Sequence, residues 1–309
     1  MEKKKIIAGS LACILSLGVA LGVPATASAE KDRYRLTVSA ENLLRNRSER
    51  ILALNTISRK NVGDYKKYTV SVRGTTLSVK ALYINGSYYI PTRAVANALG
   101  ASYSYDSKSG TSVMKLAGLT VSFTNGNYVV MANDRPIFAM TPTVIMSDGR
   151  MYIPAEVFAK ATGLSLSVGA SLSFSGSLRP LAHASSFYRD DEVLWLARII
   201  EAESGGEPLL GKIAVGNVVL NRVRSAYYPN TIYGVIFDRK YGVQFSPVLN
   251  ATIYNTPTYA SLLAAKICLE GFDLSEGAFF FLCPELSTSS WIPNNREYLF
   301  SIGKHDFYK

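Results

Sequence analysis

WLARIIEAESGGEPLLGKIAVGNVVLNRVR, residues 195–224, is the stretch on which the fold turns. It predicts two helices joined at Glu203-Ser204-Gly205-Gly206-Glu207-Pro208. In the first, Val193, Leu196, Ala197 and Ile200 fall at i, i+3, i+4 and i+7, which makes one inward face, and Asp190 or Asp191 is placed to accept from the free N–H groups of the opening turn. Gly205 and Gly206 stop it, and Pro208 suits the first turn of a second helix. That second helix carries Ile213, Val215, Val218, Val219 and Leu220 with apolar residues nearly all round, so it is expected to be buried. Glu203 therefore falls where a packed helix ends beside a buried one. Apolar walls and the negative end of a helix both disfavour a carboxylate, so the position suits a general acid that keeps its proton near neutral pH.

The same residues resemble the catalytic core of the SleB/CwlJ-type cell-wall hydrolases, the spore-cortex-lytic family: Glu203 to Pro208, then a buried helix ending Asn221-Arg222-Val223. The resemblance runs from about Asp190 to Lys309. It takes in Tyr228 to Phe237, the segment Gln244-Phe245-Ser246-Pro247, the run Gly277 to Phe281, Trp291, and Gly303-Lys304-His305-Asp306-Phe307. The aromatic run departs from the family's tyrosine-rich form, reading Phe279-Phe280-Phe281-Leu282-Cys283-Pro284, which removes hydroxyls that would meet sugar. The resemblance implies a mainly α, lysozyme-like domain that cleaves the β-1,4 bond between N-acetylmuramic acid and N-acetylglucosamine in peptidoglycan glycan strands, with Glu203 as catalytic acid and base. A lytic transglycosylase needs that one carboxyl. A hydrolytic muramidase needs a second carboxylate, ~5 Å away for retention or ~6.5–9.5 Å for inversion. Glu201 is expected to point to another face and be solvated, Glu207 to support the next helix, and Asp238 is a further candidate. A wall-binding protein without activity is the alternative of a different class. Gln244 and Ser246 are candidate contacts to acetamido and hydroxyl groups, and Tyr241, Phe280 and Trp291 are candidate stacking surfaces, although the phenylalanine run also reads as a buried strand.

The chain has 309 residues, 48% hydrophobic and 18% charged, with room for two core-bearing units. Lys3-Lys4-Lys5, the apolar run Ile6 to Val23 and Ala27-Ser28-Ala29 read as a signal peptide over residues 1–29. Removing it takes away Lys3, Lys4, Lys5 and Glu2, so the net charge falls from +10 to +8. A basic exported protein is drawn to anionic cell-wall polymers, whereas nucleic acid is not an expected partner because no dense Lys/Arg stripe is present. The expected location is secreted, at the cell wall or spore envelope. Cys268 and Cys283 remain after the leader, and the sequence is compatible either with a disulfide or with two separate buried thiols. No cofactor or metal is called for.

Residues 30–67 are hard to read: Glu41 to Leu54 contains a short helix pattern dense in arginine, and Asn61-Val62-Gly63-Asp64 reads as a turn. From Tyr68 the chain alternates apolar and polar residues, with hairpin signals at Asn85-Gly86 and Asn125-Gly126. An internal repeat follows: Asn85-Gly86, Tyr89-Ile90-Pro91 and a helix from Thr92 to Leu99 closed by Gly100 are echoed by Asp148-Gly149, Tyr152-Ile153-Pro154 and a helix from Ala155 to Thr162 closed by Gly163. Ile153 follows Ile90 by 63 residues (153 − 90), as do all the paired features. This region, residues 68–168, resembles the bacterial copper amine oxidase N-terminal-like or stalk module. Copper itself is not expected, since the whole chain has only His183 and His305. Residues 169–189, rich in Ser, Gly and Ala, read as a linker in which His183 is solvated, and residues 190–309 as the catalytic domain. The fold class expected is α+β: a β-rich repeat-containing module followed by a mainly α domain.

Overall fold

A computed structural model describes residues 65–240 and 242–309. The leader, the expected helix of Glu41 to Leu54 and the turn at Asn61-Val62-Gly63-Asp64 lie outside the described residues. The chain divides into two compact units, residues 65–187 and residues 188–309 among those described. The first is β-rich and the second is dominated by helices, in agreement with the α+β reading.

The first unit begins with β1 (Lys66–Val72), β2 (Thr75–Thr76), β3 (Ala81–Ile84) and β4 (Ser87–Pro91), then α1 (Thr92–Ala98) and β5 (Ser102–Asp106). A meander follows, β6 (Thr111–Leu116), β7 (Leu119–Thr124), β8 (Val129–Ala132) and β9 (Arg135–Phe138). The second copy of the repeat is β10 (Val144–Ile145), β11 (Met151–Pro154), α2 (Ala155–Thr162) and β12 (Ser165–Val168), and the unit closes with β13 (Ser171–Ser175) and α3 (Ala184–Phe187). Strands β5 to β9 form one five-stranded sheet in sequence order, and the other sheet runs β10-β11-β4-β3-β1-β13-β12, with β2 paired to β1.

The repeat meets itself at the centre of the larger sheet. Strands β4 and β11 are antiparallel, with Ile153 opposite Ile90, Tyr152 opposite Pro91 and Pro154 opposite Tyr89. Each residue thus faces the counterpart of its own mirror position, which is a local two-fold axis through Ile90 and Ile153. Both isoleucines are buried in the shared core with Val95, Phe158, Leu172 and Phe174. Pro91 and Pro154 occupy the helix caps, where a missing N–H costs nothing, and Gly163 ends α2 at φ 70°. Any side chain at Gly163 would start 2.3 Å from the Arg179 carbonyl oxygen.

The linker reading of residues 169–189 is corrected. Strand β13 pairs in parallel with β1 and antiparallel with β12, and Leu172 and Phe174 are fully buried. Beyond it, Asn133 Nδ2 donates to the Leu181 carbonyl at 2.7 Å and Arg179 N to the Thr162 carbonyl at 2.9 Å. The serines conceal a period of two, Ser-Leu-Ser-Phe-Ser, that the sheet uses on one face. His183 is exposed but has a partner, Asp134 Oδ2 at 2.9 Å.

The second unit holds α4 (Asp190–Ser204), α5 (Leu209–Arg224), α6 (Ile232–Ile236), α7 (Tyr259–Leu269) and α8 (Trp291–Asn295), with a small sheet β14-β16-β15 formed by β14 (Phe280–Leu282), β15 (Tyr298–Ile302) and β16 (His305–Tyr308). The expected cap from Asp190 or Asp191 is absent: Arg189 holds the cap position and Asp190, Asp191 and Glu192 fill the first turn, where negative charge suits the helix end. Helix α5 is buried along most of its length, yet its polar residues also point inward. Asn217 exchanges hydrogen bonds with the Phe272 carbonyl (2.9 Å) and Leu274 N (3.1 Å), and Asn221 Nδ2 donates to Ser275 Oγ (2.8 Å) and the Ala278 carbonyl (2.9 Å), so α5 carries the loop that leads into β14. Cys268 and Cys283 are both buried and free.

Candidate active site

Glu203 is the second-last residue of α4, 7% exposed, and neither of its carboxyl oxygens has a hydrogen-bond partner among the described residues. Burial pushes its pKa up to about 8, and the Arg222 guanidinium acts in the opposite direction. The negative helix end, expected to add to this rise, is tied elsewhere. Buried Lys212, one turn into α5, donates Nζ to the carbonyls of Ser204, the last residue of α4, and of Gly205, its cap, both at 2.8 Å. Desolvation is therefore what holds the proton on Glu203.

Arg222 is the residue that sequence reading missed. It lies at the end of α5, 2% exposed, and its Nε donates to the Phe279 carbonyl at 2.9 Å. Its guanidinium carbon lies 5.2 Å from the Tyr228 ring centre, 5.1 Å from that of Phe245 and 5.5 Å from that of Phe280. Burial lowers its pKa, and Tyr228, Glu203 and Asp238 oppose that fall. A cation enclosed by three aromatic rings is held by their negative faces. Arg222 thereby gathers the end of α5, the Gln244-Phe245-Ser246 segment and β14 around the charge that faces Glu203. An arginine inside an otherwise apolar helix is a signal for such a role, because the cost of burial demands specific partners.

The other candidates separate. Gln244 is buried, its Nε2 donating to the Gly242 carbonyl at 3.1 Å, and Ser246 is half-buried at the start of a 3-10 turn, Ser246–Val248. Tyr241 lies outside the described residues. Phe280 is corrected from a stacking surface to a core strand residue: it is 8% exposed, with Arg222 and Arg296 over its ring. Trp291 is half-buried at the start of α8, with Arg296 5.0 Å from its ring centre. A second aromatic group was not foreseen, in which Trp195 meets Tyr233 (5.2 Å), Phe237 (5.4 Å) and Tyr254 (6.1 Å) edge to face. Tyr233 and Tyr254 are more than half exposed.

Both neighbouring glutamates are held by donors of their own. Glu201 Oε2 accepts from Thr258 N (3.1 Å), Thr258 Oγ1 (2.6 Å) and Ser261 Oγ (2.6 Å), and so caps α7. Partial burial raises its pKa, but these donors outweigh that and the net shift is downward. Glu207 does not serve the helix it precedes. Its Oε2 accepts from Lys304 N at 3.1 Å and its Oε1 lies 3.8 Å from His305 Nδ1, which pins the β15–β16 turn. That turn carries Gly303, where a β-carbon would fall 1.7 Å from Glu207 Oε2. Asp238 accepts from Lys240 N at 2.9 Å.

Residues 206–308 match the family model for Cell Wall Hydrolase, opening just after Glu203, and residues 70–171 match that for the Copper amine oxidase N-terminal domain. The spore cortex-lytic enzyme of Bacillus cereus is 38% identical over 122 residues, 40% of this chain and 46% of that protein. That of Bacillus subtilis is 34% identical over 120 residues, 39% of this chain and 38% of that protein. The chain thus spans less than half the length of these curated relatives. The solved catalytic domain of the germination-specific lytic transglycosylase SleB from Bacillus anthracis is 38% identical, with a TM-score of 0.37, covering 40% of this chain and 97% of that one. The β-rich unit does not fit the copper its family name suggests: His183 is its sole histidine, and among the described residues no group of three or more His, Cys, Asp or Glu is placed to hold a metal ion. The chain joins a domain of the copper amine oxidase N-terminal family to a domain of the cell wall hydrolase family.

Proposed function

We propose that the chain degrades peptidoglycan by cleaving the N-acetylmuramic acid to N-acetylglucosamine β-1,4 bond as a lytic transglycosylase, with Glu203 as its acid and base. The observation that carries this reading is a buried carboxyl without donors, protonated at neutral pH, at the end of α4. Glu203 gives its proton to the glycosidic oxygen as the bond to the muramyl C1 breaks. The resulting carboxylate is stabilised by Arg222, and it then takes the proton of the muramyl C6 hydroxyl as that oxygen bonds to C1, closing a 1,6-anhydro ring and restoring the acid. The commitment of Glu201 and Glu207 to donors of their own supports a one-carboxyl mechanism over a two-carboxylate one.

That the relatives are spore cortex-lytic enzymes supports spore cortex as the wall acted on, and the leader-like residues 1–29 support export. The net positive charge supports a role for the β-rich unit in holding anionic wall polymers. Gln244, Ser246, Trp291 and Tyr241 are the proposed sugar contacts. The test is mass spectrometry of muropeptides released from purified cortex and from vegetative sacculi, with Glu203→Gln alongside. Anhydromuramic products that vanish in the variant support the reading. Reducing-end products replace it with a muramidase, and no release from either wall replaces it with a binding protein.

A further inference from the structure

Between the two repeat copies of the β-rich unit lies a cavity of about 520 Å³, in the size range of ligand sites. Its lining includes Arg93, Asn97, Tyr103, Tyr105 and Arg150. Arg93 and Asn97 are one turn apart on α1 and share a face, and Tyr103 and Tyr105 alternate onto one face of β5. The Tyr103 ring is fixed by its hydroxyl, which is 3.0 Å from Thr92 Oγ1 and 2.7 Å from Ser112 Oγ. Arg93 lies over that ring, its guanidinium carbon 5.0 Å from the centre, and among the described residues no carboxylate pairs with it. Tyr105 is 43% exposed. Arg150 enters from the second copy, beside the Asp148-Gly149 turn, with its side chain 53% exposed and held by Asp148 at 2.8 Å.

The two-fold repeat supplies an internal control. The counterparts of Arg93, Asn97, Tyr103 and Tyr105, each 63 residues on (156 − 93), are Glu156, Lys160, Leu166 and Val168. The second copy folds the same way without the cation over a ring or the pair of tyrosines. The groove's chemistry is therefore not required by the architecture and calls for another reason.

We propose that this groove binds a glycan segment bearing an anionic substituent, carboxylate or phosphate. Tyrosine rings take the C–H faces of a pyranose, Asn97 meets its hydroxyl or acetamido groups, and Arg93 meets the anion while its own back lies on Tyr103. Two arginines, one already paired with Asp148, and no basic stripe suit one substituted sugar rather than a nucleic-acid backbone. This inference rests on the proposed wall-polymer role of the β-rich unit and draws on no residue of the Glu203 site, so its failure would leave the transglycosylase reading standing.

The test is sedimentation of the full chain carrying Glu203→Gln, which prevents digestion, with sacculi that retain their phosphate-bearing polymers and with sacculi stripped of them. Arg93→Gln and Tyr105→Ala are added singly and together, and the melting temperature of each variant is measured to establish folding. Each change is expected to weaken binding about tenfold, as the loss of one charge-assisted or stacking contact does, with the double variant weaker still. A loss that persists on stripped sacculi assigns the groove to a carboxylate-bearing glycan. A loss seen only on unstripped sacculi assigns it to a phosphate-bearing one. Folded variants that sediment like the parent with both materials overturn the proposal. In the Glu203-intact chain, the same two changes leave release from short soluble glycan fragments unaltered, and a fall there would place Arg93 and Tyr105 in the catalytic machinery instead.

Discussion

Glu201 and Glu203 stand two residues apart on one helix and have opposite fates. Glu201 reaches three donors at the start of α7 and its carboxylate is favoured, whereas Glu203 reaches none and burial favours its neutral acid. The difference teaches that a carboxyl's chemistry is set by which face of the helix it leaves from. One glutamate joins elements together, and the other is kept free to transfer a proton.

The largest test of this contrast is to remove each acid in turn. Glu203→Gln is expected to lower muropeptide release by about 10²–10⁴-fold, the usual contribution of a general acid, while the melting temperature at neutral pH holds or rises because no proton need be taken up on folding. Glu201→Ala is expected to do the reverse, costing ~1–2 kcal/mol of stability through the orphaned donors of α7 while release per folded molecule persists. Thermal unfolding beside a muropeptide assay distinguishes them, and a Glu201→Ala protein that melts normally but releases nothing would make Glu201 the second catalytic carboxylate.

Stability against pH sharpens the comparison. Glu203 in the folded protein holds its proton up to about pH 8, but in the unfolded chain it loses it near pH 4.5. Because the folded state binds the proton more tightly, this contribution is full below pH 4.5 and is lost as pH rises toward 8. Denaturant titrations should therefore show Glu203→Gln gaining on the parent between those values and keeping a constant lead above. Glu201 has the opposite sign: its contribution is present above pH 4.5 and is lost as pH falls through its lowered folded value. The smallest effect concerns Arg222. Release is expected to fall as pH rises through about 8, when the acid loses its proton, and Arg222→Met should move that limb upward by removing the cation that favours the carboxylate. A pH–rate profile with an unmoved limb would separate Arg222 from the titration of Glu203.

Much of this arrangement could be read from residue order. Gly205-Gly206 and Pro208 marked the corner after Glu203, and the period of Val193, Leu196, Ala197 and Ile200 marked the buried face of α4. The repeat announced its strands, helices and closing glycines. What stayed hidden depends on distant partners: Thr258 and Ser261 lie 57 and 60 residues from Glu201, and Lys304 lies 97 from Glu207. No local pattern records such pairings, so Glu201 read as a surface charge and Glu207 as a support for the helix after it. Arg222 was passed over because helical periodicity counts it as polar, although three rings from separate segments enclose it. The strand at Ser171–Ser175 was lost to composition, since serine on an open sheet face looks like serine in a tether.

The axis through Ile90 and Ile153 has a consequence for how such a module arises. Two copies of one half joined edge to edge through β4 would make the contact of a symmetric dimer, residue for residue. Symmetry of that kind imposes two identical surfaces, and any change in one is made in both. Fusing the halves into one polypeptide removes the constraint, so one half can preserve the packing while the other acquires a new surface. Arginine at position 93 and glutamate at its counterpart 156 are a difference that a pair of identical chains could not show.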